Sequence, residues 1–458
     1  MARLPTEDRG QVALKMSVIG CGYLGAVHAA AMAELGHDVV GVDIDPGKIA
    51  TLNRGEAPIF EPGLGLILTS ATESGRLRFS TDMAKVRGSR VHFIAVGTPQ
   101  KHGGNAADLT YVDAAIDALI PHLSDGDLVV GKSTVPVGTA ARLAEKLAAS
   151  GTGATLAWNP EFLREGFAVQ DTISPDRLVY GVSAGIAGDQ ARALLDEVYT
   201  VALSQDTPLV VTDYATAELV KAAANAFLAT KISFINAMAE IAEATGADVT
   251  QLADAIGHDN RIGRRFLNAG VGFGGGCLPK DIRAFTARAE ELGLGESVAF
   301  LKEVDSINLR RRQRAVDMAA ESLEGSVFGR RIAVLGLAFK PNSDDVRDSP
   351  ALDVAVQLKG LGGEVICYDP EAMSNAKAKH PQLSFANSIV DAVTGADAII
   401  VVTEWDDFKQ LDPSEVLALA NGSLVIDGRN CLDPEAWRDA GWEYRSMGRP
   451  DRATALVV

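Results

Sequence analysis

Six residues, Gly20-Cys21-Gly22-Tyr23-Leu24-Gly25, constrain the fold more than any others. They follow a short apolar run at 17–20 and open an alanine-rich segment, 26–35, that Gly36 closes. A strand ending on this spacing turns sharply into a helix whose first N–H groups stay unpaired. Gly20 permits the turn, Gly22 lets another group approach the backbone, and Gly25 lets helix and strand pack closely. A second strand, 39–43, ends in Asp43, 18 residues after Gly25. The pattern is a βαβ unit that binds a dinucleotide, with pyrophosphate at the helix N-terminus and ribose hydroxyls on the carboxylate. That carboxylate repels a 2′-phosphate, so NAD is expected over NADP; FAD is the other ligand the pattern admits. Cys21 reads as a small filler.

Apolar strand-like runs follow at 91–96, 128–131, 156–158, 178–180 and 209–212, with helical stretches such as 112–119 and 140–149 between them. Alternation of this kind predicts a parallel sheet covered on both faces. From 213 to about 245 the chain is Ala-rich and free of Gly and Pro, which predicts one long helix. Helical segments continue to about 323, broken by glycines at 270–276. Strands resume at 332–335, 364–368, 398–402 and 424–426, with a helix at 350–361; the turn Gly336-Leu337-Ala338 is a degraded echo of the first. The expected fold is therefore α/β, with two Rossmann-like doubly wound domains joined by a long central helix and a helical middle domain. The divisions are an N-terminal extension at 1–15, a dinucleotide-binding domain at 16–212, a helical connector and dimerisation domain at 213–324, and a C-terminal Rossmann-like domain at 325–458.

Charge narrows the function. A formal net charge of −17 argues against a general nucleic-acid or membrane-surface partner, and an anionic ligand would need local Lys and Arg. No stretch approaches the ~20 apolar residues of a membrane span, and residues 1–15 lack the apolar run of a secretory signal. The four cysteines are scattered without a CxxC pair, which predicts no metal site and fits a reducing, cytoplasmic location.

One cysteine has a distinctive setting, Gly272-Phe273-Gly274-Gly275-Gly276-Cys277-Leu278-Pro279-Lys280-Asp281. Pro279 suits the first turn of a helix running to about 292, so Cys277 stands at a helix N-terminus beside Lys280. Both features favour a thiolate. A buried structural cysteine is the plainer alternative, but the glycines and the helix start together favour a nucleophile. A dinucleotide site with such a thiolate can do more than oxidise an alcohol. The thiolate traps the first aldehyde as a thiohemiacetal, a second hydride loss makes a thioester, and water releases an acid. Lys221 and Asn225, four apart on one face of the long helix, are candidate donors to the oxyanions; a solvated polar face is the alternative.

Together these pieces resemble the UDP-glucose/GDP-mannose dehydrogenase family. The resemblance runs from about Met16 to Cys431 and includes FEPGL (60–64), KSTVPVGT (132–139), NPEFLREG (159–166), ELVKAAANAFLATKISFINAMAE (218–240), RIG (261–263), GFGGGCLPKD (272–281), GLAFKPNSDDVRDSP (336–350) and DGRN (427–430). It implies NAD-dependent oxidation of the C6 alcohol of a nucleotide-linked sugar to a carboxylate. It implies Cys277 as nucleophile, Lys221 and Asn225 as oxyanion donors, Asp281 assisting the water, and Glu161 and Thr134 positioning that water. Around NAD it implies the glycine turn with Tyr23 and Leu24, Asp43, Lys48, Thr98, Thr134, Glu165 and Arg347. For the sugar nucleotide it implies Glu161, Phe162, Leu163, Lys221, Asn225, Phe273, Gly274, Lys280, Phe339, Lys340 and Arg429, with Arg261 reaching in from a second subunit of a homodimer or higher oligomer. Lys340, Arg347 and Arg429 would supply positive charge for a diphosphate.

The chain departs from the family pattern at Gly276, where enzymes acting on UDP-glucose usually carry Ser, and at Asn268, where some members carry Lys. Relatives acting on N-acetylated amino sugars resemble GGHC followed by PVDP, so Gly276 with Pro279-Lys280-Asp281 points to a plain hexose. UDP-glucose is the first expectation and GDP-mannose the second. Two other functions compete: a two-electron dehydrogenase of the 3-hydroxyacid type that needs no cysteine, and a non-catalytic NAD or nucleotide sensor.

Overall fold

A computed structural model describes residues 13–450. The expected N-terminal extension lies outside the described residues up to residue 12; the first strand then starts earlier than expected, taking in Lys15 with Leu14 buried before it. The chain forms two compact units that divide between Ala223 and Ala224.

The first unit is built on strands β1 (Lys15–Ile19), β2 (Asp38–Val42), β3 (Leu77–Ser80), β4 (Val91–Ile94), β5 (Leu128–Gly131), β6 (Thr155–Trp158), β7 (Leu178–Gly181) and β8 (Leu209–Thr212). They lie in the order β3-β2-β1-β4-β5-β6-β7-β8. β4 and β5 are buried at every position, the run expected of strands covered on both faces. The helix Tyr23–Glu34 is buried from Gly25 to Ala33, which is why its sequence is alanine-rich all round rather than striped. The strand order reverses between β1 and β4, and an open α/β sheet binds its ligand at such a point.

The first sheet is parallel, as expected, except at one place. β7 meets β6 antiparallel, through the pair Trp158↔Gly181, and β8 runs parallel to β7. A parallel return needs a long crossover. Here the extended loop and the short helix Ala168–Ile173 do not cross back, so β7 starts at the end of the sheet where β6 finished.

The helix Tyr214–Thr245 leads out of this unit; its 32 residues span about 48 Å. Asp213 opens it by accepting the Thr216 N–H at 2.8 Å, and Gly246, at φ +76°, closes it. In the second unit come the helices Val249–Gly257, Leu278–Glu291 and Phe300–Ser322. A six-stranded sheet follows: β9 (Arg331–Leu335), β10 (Glu364–Tyr368), β11 (Ser384–Phe385), β12 (Ala398–Val401), β13 (Leu424–Asp427) and β14 (Glu443–Ser446). All its pairs are parallel, in the order β11-β10-β9-β12-β13-β14. Val316 and Ala319 of the helix Phe300–Ser322 join the core of that sheet.

The degraded turn has a physical account. Asp369, at the end of β10, is 1% exposed and accepts the N–H groups of Leu337 (2.7 Å) and Ala338 (3.0 Å). Its oxygens also accept the Glu371 and Ala372 N–H groups and the Trp405 indole N–H, so this inward-turned carboxylate has no lone pair left for a ribose. Among the described residues no helix is long and apolar enough to cross a membrane.

Candidate active site

The glycine turn of the first unit has the shape its spacing predicts. Gly20 sits at φ +90°, and a Cβ there would fall 2.7 Å from Val96. A Cβ on Gly25 would lie 1.8 Å from the Gly20 carbonyl oxygen, whereas one on Gly22 would meet nothing within 4 Å. The turn is thus closed on its protein side and open at Gly22, where a phosphate needs room. Asp43 accepts the Cys21 N–H at 2.8 Å and pairs with Lys48 at 3.0 Å. Burial pushes the Asp43 carboxyl up, but hydrogen bonds from Lys48 and the Asp45 and Cys21 N–H groups outweigh it and hold it below its usual range. Asp43 therefore stays ionised at neutral pH. Ile44 beside it is 91% exposed, an apolar face at the rim of the turn.

Three loops are locked around this turn by carboxylates that sequence reasoning did not single out. Glu61 accepts the Gly166 and Ala168 N–H groups, each at 2.7 Å, and the Tyr23 hydroxyl. Burial and the Glu61 contact push the Tyr23 phenol far up, so it remains a donor. Glu218, on the long helix, accepts the Gly138 (2.7 Å) and Ala140 (2.6 Å) N–H groups at the start of the helix Thr139–Ala149. That fixes the loop carrying Thr134, whose carbonyl accepts the Thr98 hydroxyl at 2.8 Å. The only hint of Glu218 in the sequence was its place three residues before Lys221.

Lys221 and Glu161 meet in an ion pair of 2.9 Å, and both side chains are largely buried. Glu161 also accepts the Leu163 N–H at 2.6 Å. The Lys221 ammonium lies 5.7 Å from the centre of the Phe162 ring, and Arg177 stacks on that ring at 3.8 Å. Four predicted residues, Glu161, Phe162, Leu163 and Lys221, therefore form one cluster. Glu165 stands four residues on, half-buried.

In the second unit Cys277 is exposed and occupies the N-cap of the helix Leu278–Glu291, with Pro279 in the first turn. Asp281, one turn in, is buried; it accepts the Asn225 amide at 2.6 Å and the Lys280 ammonium at 2.6 Å. The glycines before the cysteine each admit a close neighbour. A Cβ on Gly272 would lie 2.3 Å from Asn308, on Gly274 2.3 Å from the Asp348 carbonyl oxygen, on Gly275 2.8 Å from the Phe339 ring, and on Gly276 2.3 Å from the Arg347 guanidinium. Arg429 donates to the carbonyls of Val402 (2.9 Å), Gly272 (2.8 Å) and Phe339 (3.2 Å). Phe273, Gly274, Phe339, Arg347 and Arg429 thus meet around the cysteine loop, and the Lys340 ammonium lies 5.4 Å from the Phe339 ring centre.

Arg261 belongs to neither cluster. Its side chain is 89% exposed and pairs with Asp259 at 2.5 Å. The other cysteines differ from Cys277. Burial pushes the Cys21 and Cys367 thiols up to about 12, and burial with the Asp427 charge pushes Cys431 higher still. Among the described residues no group of three His, Cys, Asp or Glu could hold a metal ion.

Comparison with known proteins places these clusters in a family. Models of the UDP-glucose/GDP-mannose dehydrogenase family match in three blocks: its NAD binding domain over residues 14–202, its central domain over 215–310 and its UDP binding domain over 333–434. The chain is 42% identical to a UDP-glucose 6-dehydrogenase of Rhizobium meliloti, covering 96% of this chain and 100% of that one. It is also 42% identical to UDP-glucose 6-dehydrogenase TuaD of Bacillus subtilis, covering 95% and 93%. The structure of a UDP-glucose dehydrogenase from Pyrobaculum islandicum superposes with a TM-score of 0.87 at 39% identity, covering 97% of this chain and 99% of that one.

Proposed function

Because the chain belongs to the UDP-glucose/GDP-mannose dehydrogenase family, we propose that it oxidises the C6 alcohol of UDP-glucose to the carboxylate with NAD, in the cytoplasm. The observation that carries this reading is Cys277 at an exposed helix N-terminus, one turn from a buried Asn225–Asp281–Lys280 cluster. The residues of the first unit fit NAD: an open Gly22, an ionised Asp43 and an apolar Ile44 for a flat base. NAD supplies a hydride acceptor, used twice. Per sugar the balance is one alcohol, two NAD and one water giving one carboxylate, two NADH and three protons.

The side chains then divide the work. The first oxidation takes a hydride from C6 and a proton from its hydroxyl, giving an aldehyde. The Cys277 sulfur adds to that carbonyl carbon, and its oxyanion is met by the Lys221 ammonium and the Asn225 amide. The second hydride loss turns the thiohemiacetal into a thioester. Asp281, Glu161 and Thr134 manage the water that cleaves the C–S bond, returning the thiolate and releasing the acid. Phe339, Lys340, Arg429 and the loop 272–276 bind the nucleotide, with cations offsetting the chain's net negative charge. The decisive assay counts NADH per UDP-glucose consumed and identifies the sugar product. Two NADH with the uronate is the expected result; one NADH with free aldehyde would sink the proposal. GDP-mannose stays as a second substrate because Gly276 stands where serine is usual, and a lower KM for it in the same assay would reverse the order.

We also propose a homodimer in which Arg261 serves the neighbouring subunit. Phe227, Phe234 and Ile241 recur every seven residues on one helix and are 66%, 48% and 54% exposed, an apolar stripe that association would cover. Arg261 is exposed and unused within its own unit's clusters. Arg261→Ala is expected to raise KM for UDP-glucose about tenfold, the worth of one charge-assisted hydrogen bond, and to leave NAD affinity unchanged. An unchanged KM, or a monomer by light scattering, would contradict it.

A further inference from the structure

Lys132 follows β5 directly and its side chain is buried, although a methionine would fill the same space without the cost of desolvating a charge. Its ammonium donates to Asn159 Oδ1 at 2.9 Å and to the Tyr199 hydroxyl at 3.2 Å, and lies 5.8 Å from the centres of the Phe93 and Tyr199 rings. Asn159 is held on every side. Its Oδ1 also accepts the Tyr199 hydroxyl at 2.6 Å, its Nδ2 donates to the Val179 carbonyl, and its backbone N–H donates to the Gly131 carbonyl. Two residues on is Glu161, and a small cavity is lined by Lys132, Asn159 and Glu161 together. His28 lines it too, with a buried Nε2 that has no hydrogen-bond partner among the described residues.

We propose that Lys132 is a positioning residue of the reaction: its buried ammonium fixes Asn159 and thereby the Glu161 carboxylate that pairs with Lys221, so that turnover requires Lys132 in its protonated form. The inference rests on the reading of Glu161 and Lys221 as groups that act on substrate. It has a titration consequence. Burial lowers the Lys132 amine to about 8, with Glu161 pulling it up and Lys221 pushing it further down. The ammonium is present below that pH and lost above it. Of the other groups around it, His28 is held neutral by burial and by Lys132 itself, and burial pushes the Tyr199 phenol far up, so neither titrates in that window. On the cavity wall Asp171 is paired with Arg164, and Arg177 is stacked on Phe162.

The test is kcat against pH for the wild type, Lys132→Met and Tyr199→Phe, with melting temperatures alongside. The wild type is expected to lose activity above about pH 8. Lys132→Met should fall about 10- to 100-fold below that pH, as a slightly misplaced group does, and lose the alkaline limb there, with KM for NAD unchanged. Tyr199→Phe removes one acceptor from the ammonium, so its limb should move to lower pH; it decides the matter if the methionine variant does not fold. An alkaline limb left in place in both variants would overturn the inference. A wild type that forms no uronate would instead overturn the reading of the reaction, so the two failures are told apart.

Discussion

Cys277→Ser is expected to lower uronate formation by about a thousandfold or more, some 4 kcal/mol of transition-state stabilisation, without loss of the fold. The chemistry sets the size. A serine hydroxyl is scarcely ionised near neutral pH, so the aldehyde is not captured and the second oxidation has no covalent intermediate to work on. The structure makes the experiment clean. Cys277 is exposed and stands at the N-cap of its helix, outside the packed core. Serine is close to cysteine in size, so the variant should melt near the wild-type temperature. Binding of NAD should be little changed, since Cys277 is not among the residues that shape the glycine turn and hold Asp43. Alkylation gives an independent route. At neutral pH iodoacetamide should label Cys277 first, because burial keeps the Cys21, Cys367 and Cys431 thiols protonated. Turnover by the serine variant, or by alkylated protein, at the wild-type rate would return the chain to two-electron chemistry.

What the sequence could and could not reveal follows from where the information lies. The glycine turns, the buried strands and the long helix are written in local composition. β5 and β12 are runs of apolar residues, β4 and β10 are apolar apart from His92 and Glu364, and the helix Tyr214–Thr245 lacks any breaker. Three edge or near-edge strands escaped notice. β3 alternates apolar and polar but over only four residues, β11 has two, and β14 reads Glu-Tyr-Arg-Ser; each is too short or too polar to stand out without the neighbouring strand it pairs with. The reversed β7 escaped for the same reason, since direction depends on the path of the connection. In the candidate site, the spacing of Lys221 and Asn225 was visible, but their partners were not. Lys221 pairs with a residue 60 positions earlier (221 − 161) and Asn225 with one 56 positions later. Asp369, Glu61 and Glu218 bind backbone N–H groups, and a backbone donor leaves no mark in a sequence.

Glu61 carries the largest expected effect on stability. Its carboxylate is 5% exposed and takes two backbone N–H groups, from residues 105 and 107 positions away, together with the Tyr23 hydroxyl. Glu61→Leu would leave all three donors buried without an acceptor, at about 1–3 kcal/mol each, so a loss of at least 3 kcal/mol is expected. For a unit of this size that lowers the melting temperature by about 6–12 °C. Glu61→Gln keeps one acceptor oxygen but points an amide N–H at a donor, and should lose about half as much. Function should suffer beyond stability. Tyr23 stands inside the glycine turn, and Gly166 and Ala168 anchor the loop that carries Glu161, Phe162 and Glu165. Freed from Glu61, both ends of that connection lose their fixed place, and NAD affinity should fall together with kcat, even well below the melting temperature. Calorimetry on the leucine variant checks the first claim, and NAD titration by fluorescence the second. A leucine variant that melts like the wild type would show the three donors satisfied by some other route and would remove Glu61 from the account of how the site is held.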